Sequence, residues 1–236
     1  MLNSVWLALA VTLIVALLWL KFCDYLAARQ WVSSQVSRKV IHIGTGPIFV
    51  LCWLLFPNVP LARWLAALIP LAITLKFLGV GLGLIKDERD VQSMSRSGDR
   101  RELLRGPTYY GLVFVFITLI FWKDSPVGIT ALMILCGGDG LADLVGRRWG
   151  GQYPLPWSPG KSIPGSLGML LGSVLFSSLV IWTFVQFGVL PVPFNRFIPG
   201  IVVTSLVSAA VETLPIEDYD NLTVTLSAVA MGLLIF

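Results

Sequence analysis

The sequence predicts an all-α, polytopic transmembrane helical bundle of about eight helices. Three observations carry that expectation. Only 13% of the residues are charged against 56% hydrophobic, whereas soluble domains carry about 25% charged residues. The apolar residues come in long runs rather than periodic stripes, with a mean hydropathy of +0.82. The lysines and arginines are concentrated in alternate connections between those runs.

A membrane helix needs about 20 mostly apolar residues. Eight segments qualify or come close: 4–22, 40–56, 61–85, 108–122, 127–146, 164–187, 197–211 and 222–236. The first, VWLALAVTLIVALLWL, is nearly unbroken. No basic residue precedes it and no small-residue cleavage site follows it before Lys21-Phe22-Cys23, so it reads as a retained helix rather than a signal peptide. The fourth and seventh segments are short, and one of them could be re-entrant. With no repeat, linker or low-complexity stretch, 1–236 reads as a single integral membrane domain.

Basic residues near short loops stay on the cytoplasmic side. The first connection holds Lys21, Arg29, Arg38 and Lys39; the third holds Lys86, Arg89, Arg96, Arg100, Arg101 and Arg105; the fifth holds Arg147, Arg148 and Lys161. These are thirteen of the 17 basic residues, so the odd connections are expected in the cytoplasm or its organelle equivalent, and both termini on the far side. The net charge of +4 calls for no nucleic-acid partner, because basic loops beside anionic headgroups account for it. Trp6, Trp19, Trp64, Trp122, Trp149 and Trp157 fall near segment ends, as interfacial anchors do. Cys23, Cys52 and Cys136 fit no metal-binding spacing and read as buried thiols.

Four stretches carry residues suited to chemistry. In CGGDGLADLVGRRWGG (136–151), Asp139 and Asp143 share one helical face at the end of the fifth segment. Carboxylates in a membrane segment are costly and usually functional. Two together need a cation between them, and Mg²⁺ takes one or two carboxylates plus phosphate oxygens and water. Gly138 and Gly140 would let a bulky ligand approach the backbone. The plainer use of the aspartates is pairing with Arg147 and Arg148, for which Asp143 and Arg147 are well spaced.

SPGKSIPGS (158–166) opens the sixth segment. It lacks the full phosphate-loop pattern. It still combines glycines 160 and 165, Lys161, the hydroxyls of Ser162 and Ser166 and a helix N-terminus, all suited to phosphate. ETLPIEDYDN (212–221) supplies Glu212, Asp218, Asp220 and Asn221 to complete a metal site or orient a nucleophile, unless it is only a solvated acidic loop. SRKVIHIGTGP (37–47) places Arg38, Lys39 and the lone histidine, His42, where they could meet phosphate at the same interface.

Together these stretches resemble the polyprenol kinase family, which includes dolichol kinases, phytol kinases and yeast-type diacylglycerol kinases. The resemblance rests on RKVIHIGTG (38–46), GDGLADLVGRRWG (138–150), GKSIPGS (160–166) and the run from Glu212 to Asn221. RELLRGPTYY (101–110) looks most like the phytol kinase branch of cyanobacteria and plastids. The resemblance implies CTP as phosphate donor, Mg²⁺ as cofactor and an isoprenoid alcohol, phytol or a similar one, as acceptor, giving the lipid monophosphate and CDP. It implies an inner, thylakoid or plastid membrane with the active site on the cytoplasmic or stromal face. Dolichol kinases are longer, so the compact chain is expected to take a shorter alcohol.

On this reading Asp139 and Asp143, with Asp218, Asp220 and Asn221, hold the metal. Lys161 and the 160–166 backbone take charge on the phosphates, Arg147 and Arg148 touch phosphate from further out, and Glu212 and His42 assist the chemistry. Two alternatives use the same residues. A CTP-dependent lipid cytidylyltransferase would release pyrophosphate instead of CDP. An ion-coupled transporter would use the aspartate pair as a cation site, but no paired broken-helix repeat supports it.

Overall fold

The computed structural model describes residues 1–29, 31, 34–95, 97–216 and 219–236. All eight expected segments are helical within it. Among the described residues six spans are long and apolar enough to cross a membrane: Val5–Cys23, Leu61–Leu82, Arg100–Ile120, Pro126–Gln152, Ile163–Gln186 and Phe194–Glu212. The apolar helical stretches Lys39–Leu55 and Asp220–Ile235 are shorter. Helices dominate for a physical reason: lipid offers no hydrogen bonds, so a crossing segment must pair its backbone internally.

The long helices are α1 (Val5–Ala28), α2 (Ser34–Cys52) and α3 (Leu61–Leu82); a short α4 (Glu88–Met94) follows. Next come α5 (Gly106–Ile120), α6 (Pro126–Met133) and α7 (Asp139–Trp149), then α8 (Ile163–Gln186), α9 (Ile198–Glu212) and α10 (Asp220–Ile235). The expected fifth segment is not one uniform helix. Between α6 and α7, Ile134–Gly138 forms a π-turn, in which the Asp139 N–H reaches back to the Ile134 carbonyl. Such turns recur at functional sites because they displace side chains from the regular spacing.

The α6–α7 unit is the central post, 78% buried across its span against 11% for α1. Around it the core gathers Trp53, Phe114, Ile134, Leu135, Met169, Phe184 and Ile201. α8 turns Leu167, Leu171, Leu175 and Leu179 outwards at intervals of four, a stripe suited to lipid contact. Trp6, Trp64, Trp149 and Trp157 are exposed at segment ends, whereas Trp122 packs on Trp53 and Phe56. The three cysteines are buried thiols.

The connection from α7 to α8 is more ordered than a loop. Pro154–Leu155 and Ser158–Ser162 pair as a short antiparallel hairpin, β1 and β2. Ser162 then caps α8 by accepting from the Gly165 N–H at 3.2 Å, with Pro164 in the first turn where its missing N–H costs nothing. α3 stops at Gly83, whose φ of 80° is the left-handed cap that glycine takes at little cost. Asp87 caps α4, accepting from the Asp90 N–H at 3.1 Å.

Candidate active site

Residues from the first, third, fifth and seventh connections meet at one end of the bundle, around a cavity of about 1780 Å³. The second and fourth connections meet at the other end, where Lys123 Nζ donates to the Phe56 carbonyl at 2.5 Å. The cavity wall carries Lys39, His42, Asp139, Asp143, Arg147, Gly160, Lys161, Ser162, Gly165, Ser166, Glu212, Asp220 and Asn221. Segments up to 182 residues apart in sequence thus converge on one space.

The two aspartates lie one helical turn apart at the start of α7. Asp139 Oδ2 is 3.5 Å from Lys39 Nζ and 3.3 Å from His42 Nε2. Asp143 Oδ2 is 3.7 Å from the same lysine and accepts from Arg147 Nε at 2.8 Å. Lys39 therefore bridges the two carboxylates and offsets part of their charge. The anticipated Asp143–Arg147 pair exists, but Asp139 takes neither arginine. Arg148 is off the cavity wall and lies over the Trp149 ring at 5.5 Å.

His42 Nε2 also donates to the Leu135 carbonyl at 3.1 Å, at the π-turn. A carbonyl only accepts, so Nε2 carries the proton in this contact. The same N–H faces Asp139, and His42 thereby fixes that carboxylate to the backbone of the central post. Tyr110 lies against the histidine ring, with centroids 4.4 Å apart, and its hydroxyl donates to the His42 carbonyl at 3.0 Å while standing 3.1 Å from Cys136 Sγ.

Lys161, on β2, sits 2.5 Å from Glu212 Oε1 at the end of α9. Burial alone pulls the Lys161 ammonium down. The Glu212 carboxylate, with Asp220 and Asp139 further off, outweighs that and holds it above the ordinary lysine value. Ser166 Oγ, on the cavity wall, is buried with no hydrogen-bond partner among the described residues. Asn221 Nδ2 donates to the Gly106 carbonyl at 3.3 Å and ties α10 to α5. Asp218, Glu217 and the side chain of Arg38 lie outside the described residues.

Gly138 and Gly140 have a different use from close approach to a ligand. A Cβ at Gly138 would strike Ser173 on α8, and one at Gly140 would strike Ile43 on α2. They bring α2 and α8 onto the central post, while Gly160 and Gly165 do face the cavity.

The donor set suits a hard divalent cation. Asp139 and Asp143 offer oxygen ligands on one face, with Asp220 on the same cavity wall. Among the described residues no three His, Cys, Asp or Glu groups converge on one point.

Some lining residues carried weaker sequence signals. Lys76, inside a membrane span, was one, since charges there are rarely idle. Its ammonium holds Asp87 at 3.0 Å and Asp90 at 2.7 Å, tying the start of the third connection to α3 beside the cavity. Tyr110 ends the RELLRGPTYY run that carries the resemblance, but no chemistry-bearing pattern marked it or the α1 side chains as parts of the site.

No family model matches the chain, and no solved structure matches it. Curated proteins do. A probable phytol kinase 3, chloroplastic, of Glycine max is 42% identical over 97% of this chain and 72% of its own length. A probable phytol kinase 2, chloroplastic, of Oryza sativa subsp. japonica is 43% identical over 96% of this chain and 75% of its own. The chain belongs to the phytol kinase family. A further family member, a farnesol kinase, chloroplastic, of Arabidopsis thaliana, is 40% identical over 97% of this chain and 75% of its own length. The alignments span nearly the whole chain and so include the four stretches that line the cavity.

Proposed function

We propose that this chain is a CTP-dependent prenyl-alcohol kinase, moving the γ-phosphoryl group of CTP to phytol or a similar isoprenoid alcohol in a plastid or cyanobacterial-type membrane. The carrying observation is the continuity of one cavity. Its polar end holds Asp139, Asp143, Lys161 and Ser166, and its apolar end is walled by α1, α2 and α3 through side chains such as Leu13, Ile48, Phe49 and Ile73. A water-soluble triphosphate and a membrane-dissolved alcohol can meet only where such surfaces join. The relatives named for phytol and farnesol supply the acceptor class; the donor rests on the sequence resemblance.

The alcohol oxygen attacks the γ-phosphorus in line. The new O–P bond forms as the bond to the β–γ bridging oxygen breaks, CDP departs, and the hydroxyl proton leaves to solvent through the polar mouth. Phosphoryl transfer of this kind is mainly positioning and charge neutralisation. Asp139 and Asp143 would hold Mg²⁺, which supplies charge neutralisation on the phosphates when bound. Lys161 shifts from Glu212 towards the phosphates, and Ser166 Oγ and the Gly160 backbone donate to them. Lys39 and Arg147 keep the aspartates in place. The basic connections put this end on the cytoplasmic or stromal face.

The test is a product assay on purified protein with CTP labelled at either the α- or the γ-phosphate, offered with phytol, geranylgeraniol, farnesol or diacylglycerol, and with ATP, GTP and UTP as competitors. Label entering the lipid from the γ-position alone supports the kinase. Label from the α-position would mean cytidylyl transfer and overturn it.

A further inference from the structure

We infer that the apolar arm of the cavity is a length gauge for the alcohol, sized for three to four isoprene units and stopped by Leu9, Thr12 and Cys52. This rests on the prenyl-alcohol reading above and adds the residues that set chain length.

The arm exists because of how three helices pack. α1 lies against both α2 and α3, while α2 and α3 hardly touch. The space between them opens at its top onto His42 and Asp139. Its wall is apolar and nearly without charge below that level, so an alkyl chain is the occupant it suits and a nucleotide is not.

The register of α1 on α2 fixes the depth. Gly44 packs on the Trp19 ring, and Cys52 lies beside Thr12. The helices therefore run antiparallel, and Ala16 comes opposite Ile48, about midway down. Below Thr12 the space is filled. Ala8, Phe56, Ala62, Leu65 and Ala66 form a tight cluster of buried side chains, and Leu9 packs on it. Leu9, Thr12 and Cys52 line the cavity while Ala8 and Phe56 do not, which marks the floor.

From His42 to Cys52 is ten residues, and from Lys39 thirteen, which is about 15–20 Å at about 1.5 Å per helical residue. An extended carbon chain with bonds of about 1.5 Å and angles near 111° advances about 1.25 Å per carbon. An isoprene unit contributes four main-chain carbons, or about 5 Å on that same geometry. The arm therefore holds about three to four units with the hydroxyl level with Asp139. A chain much longer than that would have to bend back or leave between helices.

Two variants move the gauge in opposite directions. Ala16→Phe places a ring about 9 Å below His42, since six residues separate His42 from Ile48 at about 1.5 Å each. Leu9→Ala removes part of the floor. The readout is the ratio of kcat/KM values for geraniol, farnesol, geranylgeraniol and geranylfarnesol, with two, three, four and five units. Ala16→Phe is expected to lower the geranylgeraniol-to-geraniol ratio at least tenfold. Leu9→Ala is expected to raise the geranylfarnesol-to-geranylgeraniol ratio at least threefold. If Ala16→Phe is not recovered as a monodisperse protein, Leu9→Ala decides alone. Recovered variants with the unaltered enzyme's length preference overturn the gauge while leaving the kinase reading intact. An unaltered enzyme that phosphorylates no prenyl alcohol overturns both.

Discussion

Lys161 Nζ and Glu212 Oε1 stand 2.5 Å apart, joining the hairpin before α8 to the last turn of α9. Glu212 is 6% exposed, so its carboxylate has little water to fall back on. Removing one partner from such a pair leaves a buried charge uncompensated, at about 3–5 kcal/mol when burial is complete. The pair thus holds Lys161 at the cavity wall, where the proposed phosphate contact needs it.

Lys161→Ala is expected to lower kcat by about 10²-fold or more, the scale for losing one preorganised electrostatic stabiliser. Glu212→Gln keeps shape and a hydrogen-bond acceptor, so its kcat loss should be smaller. Steady-state kinetics on protein of matched purity and monodispersity checks both. A Lys161→Ala enzyme that folds and turns over near normally would move the phosphate site elsewhere.

The same pair has a pH signature. Lys161 is held above the ordinary value of 10.5, so its stabilisation is fully present below that pH and lost as pH rises through the raised value. The Tm difference between the unaltered protein and Lys161→Met should be constant from pH 7 to about 10 and shrink above it. Differential scanning fluorimetry in detergent measures this; a difference already vanishing at pH 8 would contradict the assigned pairing.

For the aspartates, geometry ranks the effects. Asp139 is tied to both Lys39 and His42, while Asp143 shares Lys39 with an exposed Arg147. Asp139→Asn and Asp143→Asn should each lower kcat by about 10²-fold and raise the Mg²⁺ concentration needed for half-maximal rate. Arg147→Ala should cost under about tenfold, since exposed pairs contribute little. Arg148→Ala should cost almost nothing, because its side chain lies over Trp149. Unchanged Mg²⁺ dependence in both asparagine variants would remove the aspartates from the proposed metal site.

The helices were legible because lipid enforces one backbone solution, and hydropathy reports lipid directly. Asp139, Asp143, Lys161 and Glu212 were legible because charge in apolar surroundings is conspicuous. Their partners were not. Lys161 meets Glu212 across 51 residues, and no local pattern encodes that. The π-turn at 134–138 and the hairpin at 154–162 depend on what packs around them. Gly138 and Gly140 illustrate the ambiguity best: a glycine admits a ligand or a neighbouring helix equally well, and only the positions of Ser173 and Ile43 decide.

The third connection should behave as a fastened cap. Lys76 grips Asp87 and Asp90, and the lysine's hydrogen bond, backed by the Asp90 N–H, holds the Asp87 carboxyl below the usual carboxylate range. A lowered value contributes stability above the ordinary 3.8 and loses it as pH falls through the lowered one. Lys76→Met should therefore increase proteolytic nicking between residues 84 and 105 at neutral pH, read by limited proteolysis and mass spectrometry. Equal nicking rates in the variant and the unaltered protein would show that the clasp does not restrain the segment.

His42 offers two roles that a pair of substitutions separates. Its Nε2–H donates to the Leu135 carbonyl while facing Asp139, so that nitrogen has no free lone pair to take a proton from an alcohol. The arrangement makes His42 a positioning residue that sets Asp139 against the π-turn. A glutamine can place an amide N–H near the position of Nε2, and an alanine cannot. His42→Gln should keep kcat within about tenfold, whereas His42→Ala should lose about 10²-fold, in line with removal of an orienting partner. The pH profile discriminates further. A positioning role leaves the acidic limb of kcat unchanged in His42→Gln, because nothing that titrates in the reaction has been removed. A general base predicts the opposite: glutamine as inactive as alanine, and the acidic limb gone. That second pattern would return His42 to the proton-transfer step and require its ring to leave Leu135 when the alcohol binds.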